Sequence, residues 1–335
     1  MRTDNAAPYG FRVVGGRHGL RRLVDWQAAL AGHAACEARA QTDRECYLSA
    51  FTFGDELRDH LAETGSTKGY RSPCGAAWLW LDLDDPDNPE RALDAARRLT
   101  AGLVDRYAID GDELLVFYSG AKGYHVGLPL AVCGSPAPSE RFHRIAQSFA
   151  EAAAERQGVG IDMGVYDRVR LFRAPNSRHP KTGRHKRRLA FDELLALSAD
   201  AIARMAETPG PFDLPAEPAL DFTAVADWNA AAEAVEADNA ARAERRAATD
   251  GATLNRRTLD FLRDGAPVGD RHRLLYSAAA NLAELGADYR LAVALLNEPA
   301  LDSGLPPSDV ARQIRCGVES VRSGGPEPPA TRGRA

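Results

Sequence analysis

The stretch AAWLWLDLDD, residues Ala76–Asp85, changes side-chain type with a period of two, which predicts a β-strand. Side chains two residues apart point to the same side of a strand, so Trp80, Asp82 and Asp84 would share one face. Trp78 would join that face, and the leucines between would enter the opposite layer. Two carboxylates about 7 Å apart along the backbone repel each other unless a cation separates them, and such ligands suit Mg²⁺ or Mn²⁺. The alternative interpretation is a strand that simply ends in an acidic turn.

The segments around this strand predict an α/β (α+β) fold. Asn88, Pro89 and Glu90 have the composition of a helix cap, a first-turn proline and an acidic first turn, and they begin a helix that runs to Tyr107. The sequences ELLVFYS and YHVGLPL predict two more strands, and SERFHRIAQSFAEAAAERQG predicts a helix that begins at Ser139. We therefore expect a mixed sheet with covering helices.

The chain divides into four stretches of different composition. Residues 1–208 carry the strand and helix patterns. Residues 209–250 combine a proline-rich linker with an Ala-, Glu- and Arg-rich stretch that predicts a solvated helix acting as a spacer. Residues 251–322 have helical periodicity and predict a small all-α C-terminal domain, and residues 323–335 predict a disordered tail.

Length, composition and charge exclude several classes of protein. The chain has 335 residues, 44% hydrophobic and 27% charged, which is ordinary for a globular protein. It has no apolar run of about 18 residues and no apolar segment near its N-terminus, so we expect neither a membrane partner nor secretion. Five scattered cysteines argue against a disulfide scaffold and favour the cytoplasm. The net charge of −5 decides nothing about nucleic acid, so the local distribution of charge must be considered.

A second motif, SGAKGYH, spans residues 119–125 between two predicted strands. Its two glycines allow a close approach of the backbone to a ligand and can expose N–H groups to an anion. Ser119 adds a hydroxyl, Lys122 a positive charge and His125 a ring donor, and together these suit a triphosphate. The motif is not a P-loop, because GxxxxGK[ST] is absent. The alternative is a plain hairpin with an exposed lysine.

The third motif begins at Asp162 and runs into a basic stretch. Residues 162–188 hold nine Lys or Arg against two Asp, a local excess of seven positive charges in an acidic protein. This excess favours a surface that contacts phosphates, and the alternative is a solvated basic hairpin. Asp162 could complete a three-carboxylate site with Asp82 and Asp84, and Asp167 competes for that role.

The order of these motifs resembles the archaeo-eukaryotic primase superfamily. A strand ending in DLD is followed by SGAKGYH, then by ID, and then by RAPNSRHPKTG, whose ending matches the family's SxHPKTG segment. The similarity covers about Tyr47 to Leu189 and is closest to the small catalytic primase subunit and to bacterial primase-polymerases. It implies that residues 1–208 form a primase-polymerase catalytic domain. The sequence GDRHRLLYSAAANLAELG is similar to the helical module that follows such domains in bacterial and phage primases.

The resemblance also implies roles for individual residues. Asp82, Asp84 and Asp162 would be catalytic and hold two divalent metals, Mg²⁺ or Mn²⁺, with no required zinc. The residues implied to bind the incoming nucleoside triphosphate are Ser119, Lys122, His125, Arg173 and His179. Those expected to contact nucleic acid are Arg168, Arg170, Arg178, Lys181, Arg184 and Lys186.

The activity that the resemblance implies is template-directed synthesis of short primers on single-stranded DNA, with nucleotides as substrates. A replicative helicase or polymerase would be a separate protein, because the chain has no helicase P-loop. Three alternatives stay open. The first is a primer-dependent repair or end-joining polymerase of the same superfamily. The second is a replication initiator that binds DNA without catalysis, and the third is a metal-dependent phosphohydrolase.

Overall fold

The computed structural model describes residues 7–85, 87–248 and 253–322. Contacts divide the chain into two units, residues 1–238 and residues 239–335, and each is described by itself. Within the described ranges, every helix is too short or too polar to cross a membrane.

The first unit contains ten strands and the helices that cover them. The strands are β1 (Tyr9–Val14), β2 (Arg22–Asp25), β3 (Cys46–Ser49), β4 (Thr52–Phe53), β5 (Cys74–Gly75), β6 (Trp78–Asp84), β7 (Leu115–Tyr118), β8 (Gly123–Pro129), β9 (Leu171–Arg173) and β10 (Arg187–Leu189). The helices that begin in this unit are α1 (Trp26–Ala34), α2 (Asp55–Thr64), α3 (Pro89–Tyr107), α4 (Phe142–Arg156), α5 (Phe191–Ala196), α6 (Ala199–Met205) and α7 (Phe222–Ala248).

These strands form two sheets. One has the order β5-β4-β1-β3-β9, with β2 also paired to β1, and the other has the order β10-β7-β8-β6. The α/β class is confirmed, but the expectation of one mixed sheet is wrong, because every pairing in the described residues is antiparallel. The pattern of β6, α3 and β7 is typical of a parallel pair joined by a helix. Here β8 lies between β6 and β7 and makes both pairings antiparallel.

Helix α3 covers one side of the second sheet and begins where the sequence predicted. The Asn88 side chain accepts a hydrogen bond from the Arg91 N–H at 3.0 Å, and Pro89 occupies the first turn. Its buried face includes Leu93 and Leu99. This helix fixes the leucine face of β6, so the opposite face of that strand, with Trp80, Asp82 and Asp84, is directed toward β9 of the other sheet.

The stretch predicted as a linker and spacer helix is partly integrated into the first unit. Residues 209–220 form neither helix nor strand, but the Phe212 ring lies 5.6 Å from the Phe117 ring. In α7, the Trp228 ring packs at 5.2 Å from Phe142 and 5.8 Å from Phe149. The prediction of a solvated spacer is therefore wrong for the first half of α7. Two of its four described buried residues are the alanines Ala224 and Ala231, so the apolar face gave little sign of packing against the rest of the unit.

The second unit is helical, as predicted. It contains α8 (Arg256–Asp264), α9 (Arg271–Glu284), α10 (Tyr289–Asp302) and α11 (Pro307–Arg322). Its core includes Phe261, Leu275, Leu282, Leu296 and Ile314. The expected tail, residues 323–335, lies outside the described residues, and the proposed domain boundaries stay a prediction.

Candidate active site

The two carboxylates of β6 lie on one face of the strand. Asp82 pairs across the ladder with His125, and Asp84 pairs with Gly123. The rings of Trp78 and Trp80 stack at 6.4 Å, as expected for side chains two residues apart. The Asp82 side chain is largely buried, with 16% exposed, whereas the Asp84 side chain at the end of the strand is 37% exposed.

Asp162 lies beside the free edge of β6. Its backbone N–H donates a hydrogen bond to the carbonyl oxygen of Asp82 at 2.8 Å. Its Oδ1 accepts from the Gly164 N–H at 2.8 Å, and its Oδ2 is 3.8 Å from an Arg170 guanidinium nitrogen. The backbone of Asp162 is thus joined to that of Asp82, while the Asp162 carboxylate contacts Gly164 and Arg170. Asp167 is exposed, and its Oδ1 accepts a bond from the Val169 N–H at 3.4 Å.

The environment of Asp82 disfavours its charged form. Burial raises the pKa of Asp82 to about 7, and the negative charges of Asp84 and Asp162 contribute to the rise. Its buried Oδ1 accepts no hydrogen bond within the described part of the chain, although His125 Nε2 lies 3.4 Å away. A buried carboxylate oxygen without a partner, close to two other carboxylates, fits a site that a divalent cation would stabilise.

The carboxylates also have cationic neighbours. Lys122 Nζ lies 3.3 Å from Asp84 Oδ2, and Arg170 lies beside Asp162. Across residues 7–85, 87–248 and 253–322, no three His, Cys, Asp or Glu side chains converge closely enough to hold a metal. The donors that would suit a divalent ion are the Asp82 Oδ1, which accepts no hydrogen bond, and the Asp84 carboxylate on the same face of β6. Asp162, which caps its own turn, does not converge with them as a third ligand.

The SGAKGYH motif forms the tight connection between β7 and β8. Gly120 has a φ of +88°, which glycine adopts easily. The Ser119 Oγ accepts hydrogen bonds from the N–H groups of Gly123 at 3.2 Å and Ala121 at 3.4 Å. Ser119 therefore shapes this turn, while Lys122 is the residue of the turn that reaches the carboxylates.

His125 lies under the carboxylates rather than in solvent. Its Nε2 is 3.4 Å from Asp82 Oδ1, and its ring is 4.3 Å from the ring of Phe172. Burial lowers the pKa of His125 well below its ordinary value, and the positive charges of Lys186 and Arg173 add to this. His125 is therefore a neutral ring beside Asp82.

The HPKTG segment brings His179 to the same pocket. Its Nδ1 accepts hydrogen bonds from the N–H groups of Lys181 at 3.2 Å and Thr182 at 3.4 Å. These bonds need a lone pair on Nδ1, so the ring proton lies on Nε2. The Thr182 hydroxyl donates to the carbonyl oxygen of Gly120 at 2.6 Å and holds this segment against the SGAKGYH turn.

Arg173 ends β9 and faces Tyr47 of the neighbouring strand. Its guanidinium donates to the Tyr47 hydroxyl at 3.2 Å and lies 3.8 Å from Glu45. Arg17 reaches the same hydroxyl at 3.4 Å. Burial lowers the pKa of Arg173, although the neighbouring acidic groups oppose that shift.

A pocket of about 140 Å³ joins these groups. Its lining includes two carboxylates, four cationic side chains and two imidazoles, namely Asp82, Asp84, Arg17, Lys122, Arg170, Arg173, His125 and His179. Sequence reasoning missed Arg17, Tyr47 and Phe172 as pocket residues. Tyr47 and Phe172 are buried apolar rings in short strands, and no local pattern in the sequence distinguishes Arg17 from other arginines.

The predicted nucleic-acid contacts divide into three groups. Arg178 and Lys181 are exposed, and Arg184 is half-buried. Arg168 donates to the Glu140 carbonyl oxygen at 2.6 Å, while Arg170 lines the pocket. Lys186 is completely buried, so the prediction that it contacts nucleic acid is wrong. A count of charges along the sequence could not show that this one lysine points into the core.

Comparisons with known proteins give two weak likenesses. No protein-family model and no curated protein matches the chain. The polymerase domain of Mycobacterium tuberculosis Ligase D, in complex with DNA, is 15% identical with a TM-score of 0.36, over 59% of this chain and 80% of that one. The primase RepB′ is 15% identical with a TM-score of 0.35, over 94% of this chain and 89% of that one. At such TM-scores neither likeness carries an argument about function.

Proposed function

We propose that this chain is a metal-dependent nucleotidyltransferase of the primase-polymerase type, which makes short primers on a single-stranded DNA template. The observation that carries this proposal is the meeting of carboxylates and cations in one pocket. Asp82 and Asp84 form the acidic end of this pocket. Lys122, Arg173 and His179 provide hydrogen-bond donors beside it. A metal-nucleoside triphosphate complex presents the matching charges, since the cation prefers carboxylate oxygens and the phosphates prefer cationic donors.

In this proposal Asp82 and Asp84 hold the divalent ion, and Asp162 adds negative charge at the strand edge. Divalent metal held by these carboxylates would supply activation of the attacking 3′-oxygen and neutralisation of the charge on the α-phosphate and the leaving pyrophosphate. The chain's own contribution is positioning and fixed charge, with no covalent intermediate on the protein.

The basic residues would hold the triphosphate and the template. Lys122 would exchange its contact with Asp84 for a phosphate once a cation neutralises that carboxylate. His179 Nε2 and the Arg173 guanidinium would donate to phosphate oxygens, because both line the pocket. Exposed Arg178 and Lys181 lie in the same segment and would contact the backbone of the template.

The test is incubation with circular single-stranded DNA, labelled nucleotides and Mg²⁺ or Mn²⁺, followed by sizing of the products. We expect new oligomers with the wild-type chain and none with Asp84→Ala at any metal concentration. Asp59→Ala, which changes an exposed carboxylate on α2, serves as the matched control.

Other outcomes would replace the proposal. Products that appear only when a primer is supplied would indicate a primer-dependent polymerase. Release of phosphate without oligomers would indicate a phosphohydrolase, and DNA binding without incorporation would indicate a replication initiator. Full synthesis by Asp84→Ala would remove the assigned metal site.

A further inference from the structure

Lys186 is a lysine buried between the two sheets. None of its surface is exposed. Its Nζ lies 4.9 Å from the Trp80 ring centre, 4.6 Å from that of Phe117 and 4.3 Å from that of Phe172. These rings come from β6, β7 and β9, so the ammonium lies where the strands that carry the pocket residues meet.

The same ammonium makes a direct bond to a pocket strand. Lys186 Nζ donates to the backbone carbonyl oxygen of Arg173 at 2.8 Å. The Lys186 backbone is also held by two hydrogen bonds. Its N–H donates to the Ser177 carbonyl oxygen at 3.0 Å, and its carbonyl oxygen accepts from the Asn176 N–H at 2.8 Å. The side chain therefore ties Arg173, at the end of β9, to the chain just before β10.

Burial of a lysine is costly unless other groups compensate its charge. Here the faces of three aromatic rings and one carbonyl oxygen surround the ammonium, an arrangement that favours its charged form. Burial nevertheless lowers the pKa of Lys186 well below its ordinary value, while the charge of Asp82 opposes that shift. A methionine would fill this space with less cost if packing were the only requirement.

We propose that Lys186 is a positioning residue, which holds the backbone of Arg173 so that the Arg173 guanidinium faces the nucleotide's phosphates. The inference rests on the proposed function, because it concerns the same pocket. Lys186 itself touches no substrate, since none of its surface is exposed and it does not line the pocket. Its hydrogen bond to the Arg173 carbonyl oxygen is the contact through which it would act on nucleotide binding.

The test is a double-mutant cycle on nucleotide KM in primer synthesis, with Lys186→Met, Arg173→Ala and the double variant. Losing the hydrogen bond from Lys186 Nζ to the Arg173 carbonyl oxygen should raise KM for the nucleotide up to roughly tenfold in Lys186→Met. The kcat of the folded enzyme should change much less. In the Arg173→Ala background, Lys186→Met should raise the nucleotide KM little further, because the guanidinium that Lys186 positions is already absent.

Arg188 supplies the matched control. It is another poorly exposed cation, on β10, and it donates to the Leu114 carbonyl oxygen at 2.8 Å. It does not line the pocket. Arg188→Met should reduce stability while leaving nucleotide KM unchanged. If Lys186→Met does not fold, Lys186→Gln, which keeps an N–H donor without the charge, replaces it and should show a smaller rise in KM.

Two results would overturn the inference. One is an unchanged KM in a folded Lys186 variant of an active wild-type enzyme. The other is an equal rise in KM with and without Arg173. Failure of the proposed function would look different, because the wild-type chain itself would then incorporate no nucleotides.

Discussion

At the scale of single residues, Asp82 combines burial with negative neighbours. Its pKa of about 7, against an ordinary value of 3.8, means that the folded chain binds this proton more tightly than the unfolded chain does. The stability that this proton contributes is full at low pH and is lost as the pH rises from about 4 through 7. Above pH 7, in the absence of divalent metal, the ionised Asp82 is therefore destabilising.

We expect Asp82→Asn to be more stable than the wild-type chain at pH 8 in the presence of a chelator, by up to about 4 kcal/mol. The difference should shrink as the pH falls toward 4, because the wild-type carboxyl is then protonated. Urea unfolding across this pH range would measure it. Asp59→Asn, an exposed carboxylate, should follow the wild-type curve, and parallel curves for Asp82→Asn and wild type would contradict the account.

The basic stretch, residues 162–188, was recognisable from its charges, but the exposure of each cation was not. The nine cations in residues 162–188 predicted a phosphate-contacting segment, and two of them, Arg178 and Lys181, are exposed. Lys186 is buried, and Arg170 lies beside Asp162. Charge density along the sequence indicates a region, whereas the burial of each side chain depends on contacts with residues distant in the sequence.

At the scale of elements, strand β6 was predicted from its alternation alone. That the side chains of Asp82 and Asp84 point to the same face of the strand follows from the period of two, so tertiary information was not needed to predict it. Which strand pairs with β6 could not be predicted from that alternation. That β8 would pair with β6, and place His125 opposite Asp82, depends on a sheet order that alternation does not encode.

A substitution at Gly123 would test the pairing of β6 with β8. A Cβ at this position would overlap Asp84 Oδ1 and the Leu83 carbonyl oxygen. We expect Gly123→Ala to push Asp84 out of place, to remove incorporation of nucleotides and to lower the free energy of unfolding by about 1–3 kcal/mol. Incorporation assays and urea unfolding would measure both effects.

Gly160→Ala is the matched control for that change, because nothing lies within 4 Å of its added Cβ. It should leave activity and stability near the wild-type values. Wild-type activity in Gly123→Ala would show that the register of these two strands does not matter for the site.

Helix α7 gives a second element-scale prediction. Trp228 is 6% exposed and packs on the rings of Phe142 and Phe149. Trp228→Ala should therefore lower the free energy of unfolding by about 3–5 kcal/mol. Thermal or urea unfolding would measure this. Phe222→Ala, at the exposed start of the same helix, should be neutral, and a neutral Trp228→Ala would restore the interpretation of α7 as a spacer.

At the scale of the whole molecule, a net charge of −5 coexists with a basic segment beside the pocket. Binding of single-stranded DNA should depend on salt through a few phosphate contacts rather than through overall charge. Replacing Arg178 and Lys181 together by alanine should make the slope of log K against log salt shallower by about 1.4, because each phosphate contact on a single strand contributes about 0.7. Titrations at several salt concentrations would measure it. Arg58→Ala, an exposed cation on α2, should leave the slope unchanged.

An unchanged slope in the Arg178 and Lys181 double variant would exclude these residues from the surface that binds DNA.

The fold class and the helical nature of the second unit were predictable at this scale, because both follow from local periodicity. The separation into two antiparallel sheets was not, since it depends on which strands meet.

The proposed function requires that Asp82 and Asp84 hold a divalent cation next to a triphosphate pocket. The most direct measurement is anomalous diffraction from crystals of the full chain grown with Mn²⁺ and a non-hydrolysable nucleoside triphosphate. We predict a Mn²⁺ peak within coordination distance of both carboxylates, with the phosphates against Lys122 and Arg173. A Mn²⁺ bound elsewhere, or a nucleotide bound away from these residues, would contradict the account.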